Sequence, residues 1–153
     1  MFNENDLLEK KILREKMIGR VEVLDKVGEL LLLPITEFAT TEQVAKYYEV
    51  EEVVIRQVVA RNNDELTSDG LATLRGNDIK DFYDTRDKSS QVSVVPERGG
   101  ILINGVKVAY SPNLLFPKRA ILRVGMLLRD SEVAKEVRTK FLDVIYEAET
   151  KRR

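Results

Sequence analysis

TTEQVAKYYEVEEVVIRQVVARNN, residues 40–63, carries the helical period twice, with a short break near Glu49. Two helices crossing in a helix-turn-helix need apolar residues at set offsets and a small residue where they nearly touch. They also need polar residues on the outer face of the second helix. Val44, Tyr48, Val50, Ile55 and Val58 stand at the packing offsets, and Ala45 at the close contact. Thr41 is placed to cap the first helix, with Glu42 in its first turn. Glu49 occupies the turn, where many such motifs have Gly. Glu51, Glu52, Arg56, Gln57, Ala60 and Arg61 then point outward from the second helix. On that register Arg56 and Gln57 are the residues expected to reach base edges, since Arg suits guanine and Gln suits adenine in the major groove. Arg61, Lys46 and Asn62 are the expected phosphate contacts. The competing reading is a helical hairpin that only packs a core, because residues 40–63 hold 3 basic and 4 acidic side chains.

Upstream, Leu7, Leu8, Ile12 and Leu13 fall near helical spacing, and the apolar pattern continues through Leu24, Val27 and Leu31. This predicts one helix, or two meeting at Gly19, ending at Pro34. For residues 20–33 a hairpin through Val27-Gly28 stays open as the alternative, because VEVLDKVGELLLL is also strand-like. Downstream, SDGLATLRG at 68–76 suggests a strand or tight ribbon, and Asn77 is placed to cap a short helix, NDIKDFYD.

TRDKSSQ, residues 85–91, is polar and without period, and reads as a linker between a front module (1–84) and a rear module (92–153). In the rear, Asn104-Gly105 between β-rich runs in ILINGVKVAY is a strong hairpin signal, because a type I′ turn needs positive φ at both central residues. Two strands alone are marginal, so the hairpin is expected to pack on the two helices that follow. Pro117 opens the first of these, and Asp130 or Ser131 caps the second. In the second, Val133, Val137, Phe141, Leu142 and Ile145 form one apolar face. The expected class is α+β, mainly helical: a helix-turn-helix module followed by a β-hairpin packed on two C-terminal helices.

The 153 residues include no His, no Cys and no Trp, which removes imidazole and thiolate chemistry, disulfides and most metal sites. Net charge is −1, but it is graded: residues 1–69 carry −6, residues 70–116 +1 and residues 117–153 +4. An average near neutrality argues against nucleic acid, whereas the gradient leaves it open if the basic rear supplies phosphate contacts. Lys118, Arg119 and Arg123 stand at the start of the first rear helix, with Arg129, Lys135 and Arg138 further on. Arg119 and Arg123, one turn apart, are the expected additional DNA contacts.

Enzyme readings find little support. Asp78-Ile79-Lys80 is half of a nuclease pattern without an upstream Asp, Lys88, Ser89 and Ser90 lack an orienting base, and Gly99-Gly100 precedes a hairpin rather than a helix. The expectation is a non-catalytic protein with no cofactor and no metal. The start, MFNENDLLEKK, lacks signal-peptide order and no apolar run is long enough to span a membrane, so a cytoplasmic location is expected.

The order of the parts resembles phage and prophage proteins of low-G+C Gram-positive bacteria. There, a segment similar to FATTEQVAKYYEVEEVVIRQVVARNNDEL (38–66) precedes one similar to LFPKRAILRVGMLLRDSEVAKEVR (115–138). The second segment also resembles the end of the BRO-type amino-terminal domain of phage antirepressors: an apolar helix (Ile121 to Leu128), a polar break, then Ala134, Lys135, Val137 and Arg138. The resemblance implies DNA binding and transcriptional or lysogeny control, in some members by antirepression through protein contacts. It carries over no residue-level DNA contact. Two function classes follow. One is a sequence-specific binder of double-stranded DNA, expected to be a homodimer, since two recognition helices one DNA turn apart read a two-part site. The other is an antirepressor or adaptor that binds another phage or host regulator protein without touching DNA.

Overall fold

The amino-terminal apolar residues do not run on as one helix. In the computed structural model, which describes residues 3–86 and 91–151, α1 (Glu4–Glu9) and α2 (Lys11–Met17) are separated by the extended residue Lys10. Asn3 and Asp6 cap α1 reciprocally, at 3.2 and 2.8 Å. At its other end the Arg14 guanidinium donates to the carbonyls of Leu7 and Leu8 at 2.9 and 3.0 Å, satisfying groups that a continuing helix would have used. A short α3 (Val23–Val27) follows, ending at extended Gly28. Residues 20–33 are therefore neither the long helix nor the hairpin expected, and the break falls at Lys10 as well as after α2.

Strand β1 (Phe38–Thr40) leads directly into α4 (Thr41–Tyr48). The cap is Thr40, one residue before the expected Thr41: its Oγ1 accepts from the Gln43 amide at 3.2 Å while Gln43 Oε1 accepts from the Thr40 amide at 2.9 Å. Helix α4 stops at Glu49, which adopts the left-handed conformation (φ 56°, ψ 46°) that Gly takes most easily. After Val50 and Glu51, α5 (Glu52–Arg61) begins. Val44, Ala45, Tyr48, Ile55 and Val58 are buried and Val50 is half-buried, as the apolar spacing requires. Then come α6 (Asn63–Ser68), β2 (Ala72–Arg75) and α7 (Gly76–Arg86). Since α7 starts at Gly76, Asn77 lies inside its first turn and does not precede it as a cap.

Strands β3 (Val94–Glu97), β4 (Gly100–Ile103) and β5 (Val106–Ala109) form an antiparallel meander. Its β4–β5 turn has φ 46° at Asn104 and 85° at Gly105, the positive pair expected of the Asn-Gly turn. The last strand, β6 (Pro112–Pro117), is followed by α8 (Lys118–Leu127) and α9 (Glu132–Lys151). Ser131, rather than Asp130, caps α9: its Oγ accepts from the Ala134 amide at 3.1 Å and donates to the Tyr48 carbonyl at 2.8 Å.

Among the described residues helices predominate beside two small antiparallel sheets, so the class is α+β and mainly helical. Two expectations about the arrangement are corrected. First, the stretches before and after 85–91 do not fold apart. Strand β6 lies between β1 and β2, pairing Ala39 with Phe116 and Thr73 with Leu114, and one core holds Leu7, Val44, Phe116, Ile121 and Phe141 together. Helix α7 takes in residues 85 and 86, and residues 87–90 of the expected linker, with Lys88, Ser89 and Ser90, lie outside the described residues. Second, the β4–β5 hairpin packs on α7, where Ile101, Ile103 and Val108 meet Ile79 and Tyr83. The two C-terminal helices are not free to receive it, because the apolar faces of α8 and α9 are filled by each other and by the amino-terminal helices. Among the described residues no helix is long and apolar enough to cross a membrane.

Candidate nucleic-acid interface

Helix α5 presents Glu52, Val53, Arg56, Gln57, Ala60 and Arg61 to solvent, on the face opposite buried Ile55, Val58 and Val59. The base under it is stiff. Tyr48 donates to the Ile121 carbonyl at 2.6 Å, Tyr47 donates to the Leu24 carbonyl, and the two rings meet edge to face at 4.9 Å. Burial pushes both phenols above their ordinary range, so neither ionises near neutrality. The pair therefore ties α4 to α3 and α8 with neutral hydrogen bonds, and α5 rests on α4.

On the exposed face, Arg56 stands 3.7 Å from Glu52, and on α4 Lys46 stands 3.3 Å from Glu42. Such exposed pairs contribute little and part easily, at about 0.3–0.5 kcal/mol each. Arg61 has no ion-pair partner among the described residues. Asn62 terminates α5, and its amide nitrogen donates to the Val58 carbonyl at 3.0 Å, so part of its hydrogen-bonding capacity is already committed to the helix end.

The sequence reading placed Arg123 among the DNA contacts, and its surroundings rule that out. Its side chain is 1% exposed: Nε and Nη2 hold both oxygens of Asp69 at 2.7 and 3.0 Å, and Nη1 reaches Glu65 at 2.9 Å. Arg14 grips the same Glu65 at 2.5 and 3.0 Å, joining α2, α6 and α8 through one buried network. Burial acts to raise the Glu65 carboxyl, but hydrogen bonding and charge from Arg14, with charge from Arg123, outweigh it and hold the group below its ordinary range. Arg119 is exposed and lies 3.7 Å from Asp69, on the rim of this network. Arg138 is likewise buried, donating to the carbonyls of Gly125 and Leu128 and pairing with Glu4 at 2.8 Å. Arg129 pairs with Glu9 at 2.9 Å and Lys118 with Glu37 at 3.3 Å. The charge gradient along the sequence is thus closed in part within the molecule: Lys118, Arg119, Arg123, Arg129 and Arg138 of the rear each meet a carboxylate of the front.

Two basic residues outside the expected set come close to α5. A cleft of about 320 Å³ lined by Thr41, Glu52, Arg56, Lys107 and Asn113 sets Lys107 of β5 across from Arg56. On the other side, a cavity of about 400 Å³ lined by Leu8, Gln57, Arg61, Leu128 and Arg129 sets Arg129 near Gln57 and Arg61. Lys107, two residues past the Asn-Gly turn, pairs with Glu97 at 2.9 Å. Its neighbourhood could not be read from the chain because β5 and α5 are far apart in sequence. Val53, 44% exposed on the same face, was legible from the period, falling three residues before Arg56 and seven before Ala60.

In the Asp78-Ile79-Lys80 triplet, Ile79 is buried in the second core and Lys80 pairs with Asp84 at 3.2 Å. Comparison with family models, with curated proteins and with solved structures finds no match to this chain.

Proposed function

We propose that this protein is a sequence-specific binder of double-stranded DNA, acting as a regulator of phage or prophage type. In this reading α4 and α5 form a helix-turn-helix with α5 as recognition helix. One observation carries the reading: α4 and α5 follow β1 and precede β2, and β6 inserts between those two strands. That connectivity is the one found in winged helix-turn-helix domains, with the chain between β2 and β6 enlarged to contain α7 and the meander. It leaves the outer face of α5 uncovered, with Lys107 beside it.

Arg56 and Gln57 are assigned to base edges and Val53 to a thymine methyl. Arg61, Lys46 and Lys107 are assigned to phosphates. The carboxylates of Glu52 and Glu42 hold Arg56 and Lys46 until a base edge and a phosphate, respectively, displace them. A homodimer reading a two-part site accounts for a face with few cations. The likeness of residues 38–66 and 115–138 to phage regulators leads the same way.

A second reading has its own support. Because Arg56 and Lys46 each carry a glutamate and Arg123, Arg129 and Arg138 of the rear are paired, the face is close to neutral, which suits an antirepressor that docks on another regulator. Selection from random duplex DNA at near-physiological salt separates the two. Under the DNA reading a site is enriched, its affinity falls with salt at a logarithmic slope of about −2 to −3 per protomer for three phosphate contacts, and Arg56→Ala abolishes the sequence preference. Absence of any enriched site supports the protein-partner reading instead.

A further inference from the structure

Between the loop at 33–38, helix α7 and strands β1, β2 and β6 lies a cavity of about 360 Å³ that shares no lining residue with α5. Its walls are apolar: Leu33, Phe38, Ala72, Ile79, Phe82 and Leu115, closed on one side by the Tyr83 ring. Tyr83 and Phe82 meet edge to face at 5.2 Å, and the Tyr83 hydroxyl donates to the Pro34 carbonyl at 2.8 Å, which holds that wall upright. Ile35 and Leu74 stand at the mouth, 61% and 42% exposed.

The backbone at the mouth is unusual. Ile35 has φ 64°, in the left-handed region that a β-branched side chain resists. The surrounding loop enforces it: the Leu33 amide donates to the Phe38 carbonyl at 2.8 Å, the Thr36 hydroxyl donates to the Leu33 carbonyl at 2.8 Å, and the Phe38 amide donates to Thr36 Oγ1 at 3.1 Å. Strain of this kind persists where surrounding structure over-determines it and gathers at ligand sites. Here it keeps an isoleucine at the edge of an apolar cavity.

We propose that this cavity is a binding site for a small, uncharged, apolar molecule, for which indole serves as the probe. Volume bounds its size and charge selects its class. The volume falls at the lower end of ligand pockets, which run to about 300–1,000 Å³. Glu37 is the one charged side chain lining the cavity among the described residues, and Lys118 neutralises it at 3.3 Å, so a charged ligand would have no counter-ion inside. A protein partner needs roughly 800 Å² of buried surface on each side, and the mouth exposes only Ile35 and Leu74 as large apolar groups.

The test is a titration of the full chain with indole, followed by methyl and amide NMR. The expected result is saturable shifts at Leu33, Leu74, Ile79 and Leu115 and none at Leu8 or Leu128. Ala72→Phe, which fills the cavity, weakens binding by about tenfold or more. Leu74→Glu places a charge at the exposed mouth, where the fold tolerates it, and weakens binding likewise with an unchanged circular dichroism spectrum. Charged indole-3-acetate binds more weakly than indole. Absence of saturation up to the solubility limit of indole, shifts centred elsewhere, or undiminished binding by both variants would overturn the assignment.

Discussion

Replacing Arg123 by Met removes a guanidinium that is 1% exposed and donates to Asp69 at 2.7 and 3.0 Å and to Glu65 at 2.9 Å. The Asp69 side chain is 0% exposed, and the variant leaves it only the more distant Arg119 at 3.7 Å. Breaking a buried pair from one side costs about 3–5 kcal/mol, because the remaining charge cannot recover its hydration. Glu65 keeps Arg14, which favours the lower half of that range. For a chain of this length each kcal/mol moves the melting temperature by roughly 2–4 °C, so a cost of about 3–4 kcal/mol should make Arg123→Met lower it by about 6–16 °C. The assay is thermal unfolding by far-ultraviolet circular dichroism at pH 7. Arg119→Met serves as the exposed control and should stay within about 4 °C of the parent. Adding Asp69→Asn to Arg123→Met should recover part of the loss, since the stranded charge goes with it. A melting temperature in the control's range for Arg123→Met would refute the buried-network assignment. If DNA affinity fell at the same time, Arg123 would return to the role of phosphate contact.

Other outcomes follow from single elements. Glu49→Gly should stabilise the chain by about 0.5–1 kcal/mol in urea unfolding, since φ 56° strains any residue with a Cβ; no gain would mean that Glu49 makes compensating contacts. A Cβ added at Gly125 would lie 2.5 Å from Tyr48 Oη, so Gly125→Ala should cost about 1–3 kcal/mol, and Tyr48→Phe should be less harmful in that background than alone; additive effects would count against the contact. Burial pushes the Tyr83 phenol up to about 12 from 10.0, and Tyr48 and Tyr47 also upward. The folded state holds these protons more tightly than the unfolded one, so stability is intact below pH 10 and falls above it, by up to about 3 kcal/mol for Tyr83 alone. In an absorbance pH-jump their ionisation should coincide with loss of the circular dichroism signal, and prompt ionisation in an intact fold would contradict the burial. Glu65 has the opposite sign: its contribution is full above its ordinary value of 4.5 and is lost as pH falls further, so Glu65→Gln should flatten the acid side of the stability profile.

Much of the local structure was legible because it depends on neighbours in the chain. The α4–α5 spacing, the Asn104-Gly105 turn and the apolar face of α9 are short-range patterns, and each forms with the residues expected on the inside. Errors at boundaries have local causes as well: Thr40 displaces Thr41 as the cap because Gln43 completes a reciprocal pair with it. The proposed DNA face was legible in part. Exposure of Arg56, Gln57 and Arg61 follows from the helical period, whereas Lys107 joins their surroundings only through the fold.

The sequence by itself determined that α4, α5, α8 and α9 are helical, that a turn falls at Asn104-Gly105, which apolar residues of α4, α5 and α9 turn inward, and that imidazole and thiol chemistry are absent, since composition and period are properties of the chain alone. Only the tertiary structure decided what the charges do. Arg123 and Arg119 are one turn apart and chemically alike, yet one is sealed against Asp69 and Glu65 and the other faces solvent. Whether a guanidinium meets a carboxylate or water depends on which distant segments pack over it, here α2 and α6 on α8. The same long-range packing threads β6 between β1 and β2, joining the two halves that the polar segment divides in sequence.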